Sequence, residues 1–175
     1  MKMRKGQTAM EYLMTYGWAI LIIMVVLAVL FYLGVLNPPI PAQCTFPAGI
    51  TCVTNKLSAG TAKLTLEIGQ GTGKTIRVTG VQCTQNTTPE YIISTYVGYN
   101  PATNLTIASG SKAFIAKADG TGAISMVNCT DANGGSLGDM GIGTQYNGRI
   151  IVNYTETDSG MTRIAVGTYS VKFEA

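Results

Sequence analysis

Hydrophobic positions divide the chain into one apolar segment and a longer region of alternating residues. Residues 12–36 contain no charged side chain. At 1.5 Å per residue, a helix of this length rises about 37 Å, enough to cross a hydrocarbon core of about 30 Å. Apolar residues occupy every face of that helix, so it must be surrounded by lipid or by other helices. Pro38, Pro39 and Pro41 predict that the helix ends near Leu36.

Beyond the prolines, apolar and polar residues alternate with period two. The clearest runs are residues 62–68 and 74–81, and further strands are predicted at 91–97, 104–108, 112–118, 123–127, 149–156 and 161–173. Short β-branched runs between Gly, Asn and Asp turns are typical of an antiparallel sandwich or barrel. We therefore expect an α+β chain, in which a long N-terminal hydrophobic helix precedes an all-β antiparallel sandwich or barrel-like domain.

Changes in composition suggest four segments. These are a basic leader at 1–6, a hydrophobic helix at 7–36, a Pro-rich hinge at 37–43 and a β domain at 44–175. The β domain is long enough to bury a core of its own. A secretory signal peptide would have an apolar core of roughly 7–15 residues followed by small residues at the cleavage site. Here the run is longer and lacks such a site, although composition also fits a plain signal anchor.

Charge is concentrated at the N-terminus. Lys2, Arg4 and Lys5 lie in the leader, and the rest of the chain has nine basic and nine acidic side chains. No basic patch remains to indicate nucleic-acid binding. The chain has no histidine, the commonest general base and metal ligand. We therefore expect no enzymatic activity, no cofactor and no metal.

Four cysteines follow the hydrophobic segment: Cys44, Cys52, Cys83 and Cys129. An even number beyond such a segment favours disulfides formed in an oxidising compartment. Of the three possible pairings we favour Cys44–Cys52 with Cys83–Cys129. Free buried thiols and a metal site are the alternatives, and the absence of a C-x-x-C pair disfavours metal.

Four Asn-x-Ser/Thr sequences occur, at Asn86, Asn104, Asn128 and Asn153. Each one alone is a weak signal in a chain rich in Thr and Asn. Behind a segment that directs export, together they predict glycan acceptors on an extracellular surface.

Two loops resemble ligand sites without meeting their requirements. The segment 69–75, GQGTGKT, resembles a phosphate-binding loop, but Ile68 occupies the position where that pattern needs a glycine. We interpret it as a hairpin turn between two strands. Asp131, Asn133 and Asp139 could bind calcium through oxygen, but no glutamate closes the loop, so a solvated loop is the better interpretation.

Glu11 is a lone carboxylate at the start of the apolar helix. It could lie in the headgroup region near Arg4 and Lys5. Alternatively, removal of the leader would place it in the first turns of a new helix, where the helix dipole and an α-ammonium group favour it. Buried among other helices without a partner, it would cost several kcal/mol. The charge therefore suggests assembly with another chain that supplies the partner.

The sequence KGQTAMEYL at residues 5–13, followed by the apolar helix, resembles the class III signal of archaeal type IV pilins. The resemblance covers about the first 36 residues. It implies cleavage by a membrane prepilin peptidase between Gly6 and Gln7. Glu11 then falls at the fifth mature position, where this family has a glutamate.

The resemblance implies that the chain is the precursor of a major pilin, a structural subunit of an extracellular adhesion pilus at the cell surface. Its expected partners are identical subunits in a helical filament, the prepilin peptidase and the membrane assembly machinery. Before assembly the precursor would be a single-pass membrane protein. The alternatives are a membrane-anchored minor pilin, a ligand- or sugar-binding surface protein, and an archaellin-like filament protein.

Overall fold

The computed structural model describes residues 4–34, 41–88, 105–120 and 126–175, with side chains described from residue 9 onward. The chain divides into two compact units, Met1–Ile40 and Pro41–Ala175. In the described residues the first unit contains one helix and the second contains strands. The fold is thus an N-terminal apolar helix followed by a β-rich domain.

The helix α1 spans Arg4–Tyr32. It stops there because Gly34 adopts a positive φ of 66° and its amide N–H donates to the carbonyl of Phe31 at 3.1 Å. A glycine in this conformation is a common C-terminal cap, since other L-residues reach it only at a cost. The described helix therefore ends at Tyr32, four residues before the end that was predicted near Leu36.

Nine strands are described in the second unit. They are β1 Gln43–Thr45, β2 Ile50–Ser58, β3 Lys63–Gln70, β4 Ile76–Thr84, β5 Leu105–Ile107, β6 Lys112–Ala116, β7 Val127–Thr130, β8 Gln145–Glu156 and β9 Thr162–Glu174. The predictions of β3, β4, β5, β6, β8 and β9 are confirmed. The strand predicted at 91–97 lies outside the described residues, as does most of 123–127.

The sequence pattern did not predict β1 or β2, and the strand predicted at 123–127 meets β7 only at Val127. In β2 the buried residues Ile50 and Leu57 have different parity because a β-bulge shifts the register between Cys52 and Thr54. A bulge adds one residue to a strand and reverses which side chains face the core beyond it. The strict alternation used to find strands is therefore lost. β1 has only three residues, too few for a periodic signal.

Six strands close into a barrel. Their neighbour order is β2, β3, β7, β4, β8 and β9, and β9 pairs again with β2. The short strands β1, β5 and β6 add to β9, β4 and β3 respectively. Because pairing continues around the whole circuit, the domain is a barrel and the sandwich alternative is wrong. Closure also removes the long unpaired edges that promote aggregation.

An entirely antiparallel domain was predicted, but two of the strand pairings in the barrel are parallel. β2 runs parallel to β9 at Leu57–Phe173 and Ser58–Glu174, and β4 runs parallel to β7 at Cys83–Cys129 and Thr84–Thr130. Each of these parallel seams has only two residue pairs. They join strands far apart in the chain, so alternation within either strand does not reveal their direction.

The glycine-rich segment after β3 does not form a hairpin. β3 pairs with β2, β6 and β7, whereas β4 pairs with β5, β7 and β8. The segment 71–75 instead crosses between strands that are not neighbours in the barrel. It forms one rim, here called the upper rim, together with the β8–β9 turn at 157–161. The amide of Thr157 donates to the carbonyl of Thr75 at 3.0 Å and ties these two connections together.

Aliphatic and aromatic side chains are buried in the β-rich domain. The largest fully buried ones are Leu57, Leu64, Leu66, Ile68, Ile76, Ile107, Ile115, Tyr146, Ile150, Ile151, Tyr169 and Phe173. The ring of Tyr146 lies 6.2 Å from those of Tyr169 and Phe173. Its hydroxyl donates to the carbonyl of Thr130 at 3.1 Å, which satisfies the buried phenol.

Both disulfides follow the pairing favoured by the sequence. Cys44–Cys52 joins β1 to β2 across a separation of 8 residues, and Cys83–Cys129 spans 46 residues. The second bond links directly opposed residues of the parallel β4–β7 seam. A covalent bond therefore holds one of the three shortest pairings in the barrel circuit.

We predict that loss of Cys83–Cys129 destabilises the barrel more than loss of Cys44–Cys52. The chain-entropy relation gives about 4 kcal/mol for the longer loop and about 2.5 kcal/mol for the shorter one. Urea unfolding of the full-length double Ala variants in detergent micelles, followed by near-UV circular dichroism, would measure both. Equal losses, or a larger loss for Cys44–Cys52, would contradict the prediction.

Candidate functional site

From Tyr12 onward, α1 has no charged side chain and carries apolar side chains on every face. From Ala9 to Gly34 every residue except Leu30 is exposed within its unit. Within the described residues, Ala9–Tyr32 is the one helix long and apolar enough to cross a membrane. Its length and composition suit a membrane anchor or a signal sequence.

Aromatic side chains lie at both ends of this segment. Tyr12, Tyr16 and Trp18 are near its start, and Phe31 and Tyr32 are near its end. At 1.5 Å per residue, the helix rises about 30 Å from Tyr12 to Tyr32. This rise equals the thickness of a typical hydrocarbon core, and aromatic residues are enriched at both interfaces of membrane proteins. The spacing therefore fits a helix that spans a bilayer.

Glu11 and Thr15 are neighbouring polar residues near the start of the helix. The backbone carbonyl of Glu11 accepts a hydrogen bond from the hydroxyl of Thr15 at 2.8 Å, so this hydroxyl needs no external partner. The rings of Tyr12 and Tyr16 stack with centroids 5.9 Å apart. These side chains and Ala19 line a shallow groove. Among the side chains described, none makes an ion pair with the Glu11 carboxylate.

The predicted cleavage site lies within the helix. The helical backbone includes Gly6 and Gln7, and the side chain of Gln7 is not described. Gln7 is four residues before Glu11, so the two positions share one face of the helix. Cleavage there would place a new α-ammonium group on the face that carries the carboxylate.

The four predicted glycan acceptors differ in accessibility. Asn128 is exposed on β7, and Asn86 is half-buried after β4, where its Oδ1 accepts the amide of Thr88 at 2.9 Å. Asn104 lies outside the described residues. Asn153 is only 1% exposed, and its Oδ1 is buried. The folded barrel has no room for a glycan at Asn153, so that prediction is wrong on steric grounds.

In the glycine-rich loop after β7, the carboxylate of Asp131 accepts hydrogen bonds from backbone amides of the same loop. Asp131 Oδ1 accepts the amides of Asn133 at 2.8 Å and Gly135 at 2.7 Å. These bonds hold the turn, as Asp often does in loops. In the described part of the chain, no group of three or more Cys, Asp or Glu side chains is arranged to hold a metal ion.

A buried carboxylate organises the upper rim. Glu156 is 5% exposed; its Oε2 lies 2.9 Å from Lys74 Nζ and accepts the Ser159 hydroxyl at 2.8 Å. Its Oε1 lies 2.5 Å from Arg163 Nε. The two cations come from the β3–β4 connection and from β9. One carboxylate thus joins segments that are far apart in the sequence.

The hydrogen bond from Lys74, followed by those from Ser159 and Arg163, lowers the pKa of Glu156 from 4.5 to about 2. These groups stabilise the charged carboxylate more than burial disfavours it. Nothing in the sequence distinguished Glu156 from other acidic residues, because Lys74 is 82 residues away and the approach of Arg163 depends on how β8 and β9 pair. Its position, opposite Ile76 at the start of β4, depends on the strand register.

Comparison of the chain with protein-family models, curated proteins and solved structures returned no match. The functional interpretation therefore depends on the residues and geometry described above.

We predict that Glu156 makes barrel stability depend on pH between about 4.5 and 2. Its folded pKa is below its unfolded pKa, so its contribution is complete above pH 4.5 and is lost as the pH falls through about 2. Urea midpoints measured against pH should give Glu156→Gln a shallower slope in this window, by about one proton. The Asp158→Asn variant, which removes an exposed carboxylate that does not bind Lys74 or Arg163, is the matched control. Identical slopes for Glu156→Gln and wild type would refute this role.

Proposed function

We propose that this chain is the precursor of a structural subunit of an archaeal type IV pilus, with adhesion as its expected role. One observation carries the proposal. Glu11 is a carboxylate without a described ionic partner, and it precedes an uncharged stretch of the helix whose side chains are exposed on every side. It follows the Gly6–Gln7 junction at the spacing that the resemblance to the pilin signal implies.

The hydrophobic effect argues that α1 must be covered. Its exposed side chains include Leu13, Ile20, Ile23 and Val26, each at least 48% exposed. Full burial of one such side chain contributes about 1.5–3 kcal/mol, so a helix composed of them is very unfavourable in water. Lipid provides that environment before assembly, and α1 helices of identical subunits provide it in a filament.

The order of segments agrees with one membrane orientation. The leader contains three basic residues, which favour the cytoplasmic side. The barrel then lies outside, where an oxidising compartment permits both disulfides. In this proposal the membrane peptidase removes the leader, and the assembly machinery moves the mature helix from lipid into the filament.

Gly17 supports close contact between helices. It lies in the interior of the helix, where glycine costs roughly 1 kcal/mol relative to alanine. A Cβ placed on Gly17 would meet no atom within 4 Å, so the glycine fills no packing requirement within the described unit. Small residues in apolar helices let a partner backbone approach closely. A neighbouring helix packed at Gly17 would account for it.

We expect the mature subunit to begin at Gln7. Replacing Gly6 with the β-branched Val should obstruct the peptidase, so that the subunit keeps its leader and filaments are lost. Intact-mass spectrometry would measure the N-terminus of each chain. A wild-type mature chain that still begins at Met1 would refute processing.

We expect Glu11→Gln to leave barrel folding unchanged while reducing filament yield about tenfold or more. The amide keeps the side-chain volume and removes the charge that an α-ammonium group of a subunit would pair with. Sheared filaments can be quantified by electron microscopy and gel analysis. Glu174→Gln, which removes an exposed carboxylate from the barrel, is the matched control. Normal filament yield from Glu11→Gln would remove the explanation offered for this charge.

A further inference from the structure

A groove of about 320 Å³ lies on the outer face of the barrel across β2, β3 and β6. Its lining includes Lys56, Ser58, Thr65, Phe114, Lys117 and Asp119. Its volume is near the lower end of the roughly 300–1,000 Å³ typical of small-molecule sites. The space suits a ligand of one or two sugar units better than a protein segment.

Strand geometry brings these side chains together. Lys56 and Ser58 alternate with buried Leu57 on β2, so both point away from the core. Lys56 is directly opposite Thr65 of β3. On the other side of β3, Phe114 of β6 is opposite Glu67. The groove therefore has a β3 floor between a β2 wall and a β6 wall.

Two ammonium groups line the groove, and neither takes part in the ion pairs described for the barrel. Lys74 and Arg163 pair with Glu156, and Lys112 pairs with Glu67. Within the described residues, Lys56 and Lys117 make no ion pair. Lys117 Nζ instead lies 4.9 Å from the centroid of the Phe114 ring.

A cation held over an aromatic face gains roughly 0.5–1 kcal/mol at an exposed site. The Phe114 ring thus holds the Lys117 ammonium at the groove. Two cations and the single carboxylate of Asp119 make the lining net positive.

Hydroxyl groups provide hydrogen bonds beside these cations. Thr65 Oγ1 accepts the backbone amide of Ala118 at 3.2 Å, so its own proton remains available to donate. Ser58 makes no side-chain hydrogen bond to another described residue. Both hydroxyls can therefore bind oxygen atoms of a ligand.

We propose that this groove binds a hexuronate unit, a sugar that carries a carboxylate. The carboxylate interacts with the ammonium groups of Lys56 and Lys117, and the sugar hydroxyls bond to Ser58 and Thr65. The apolar C–H surface of the sugar contacts the exposed part of Phe114. Inorganic phosphate could bind the cations and hydroxyls but has no apolar surface to contact Phe114, which favours the sugar acid. This site depends on the barrel alone, so it stands or falls independently of filament assembly.

The test uses the full-length chain in detergent micelles and three probes: digalacturonate, its neutral counterpart galactobiose, and inorganic phosphate. Isothermal titration calorimetry would measure binding. Digalacturonate should bind saturably and at least about tenfold more tightly than the other two, a difference of about 1.4 kcal/mol. Lys56→Gln combined with Lys117→Gln should weaken that binding by about tenfold or more.

The double variant Arg77→Gln with Lys172→Gln is the matched control, because it removes the same charge from exposed positions outside the groove. It should bind digalacturonate like the wild type. An equal loss in the control, or equal affinity for phosphate or galactobiose, would overturn the proposal. In wild-type protein, digalacturonate should also shift the NMR amide signal of Ala118. Shifts confined to other parts of the barrel would overturn it even if the groove variant failed to fold.

Discussion

The apolar surface of α1 cannot remain in water, and this hydrophobic constraint governs the environment in which the chain can function. The barrel meets the same constraint internally, because its closed circuit of strands surrounds its own apolar core. The helix has no comparable cover within its unit. The barrel therefore buries its apolar side chains within its own fold, whereas the helix requires lipid or other helices to cover its apolar side chains.

Charged groups follow a related distinction. Glu156 and Glu67 are buried in the barrel, and each has a cation from another segment. Glu11 on the helix has no described ionic partner. The groove cations Lys56 and Lys117 on the barrel also make no ion pair with the described residues. Charges satisfied within the fold stabilise it, whereas charges without internal partners are available to other molecules. At the helix such a charge favours assembly with another subunit, and at the groove such charges favour binding of an anionic ligand.

Local patterns were sufficient to predict much of the fold. A long uncharged segment predicted α1, and period-two alternation predicted strands such as β3 and β9, because both signals depend on residues close together in the chain. The disulfide pairing could be favoured from spacing. β2 was missed because its bulge between Cys52 and Thr54 breaks the alternation. The accessibility of sequons could not be predicted either, since burial of Asn153 depends on strands and connections elsewhere in the fold.

The sequence by itself determined that the chain has an apolar helix, a low-charge β domain and a carboxylate placed after a basic leader. These properties are set by composition and by spacing over a few turns or strand residues. Only the tertiary structure decided that the strands close into a barrel through two parallel seams, that Glu156 joins the upper rim, and that Lys56 and Phe114 face one groove. Such contacts join residues far apart in the chain. Their existence depends on strand order and register, which local hydrophobic patterns do not encode.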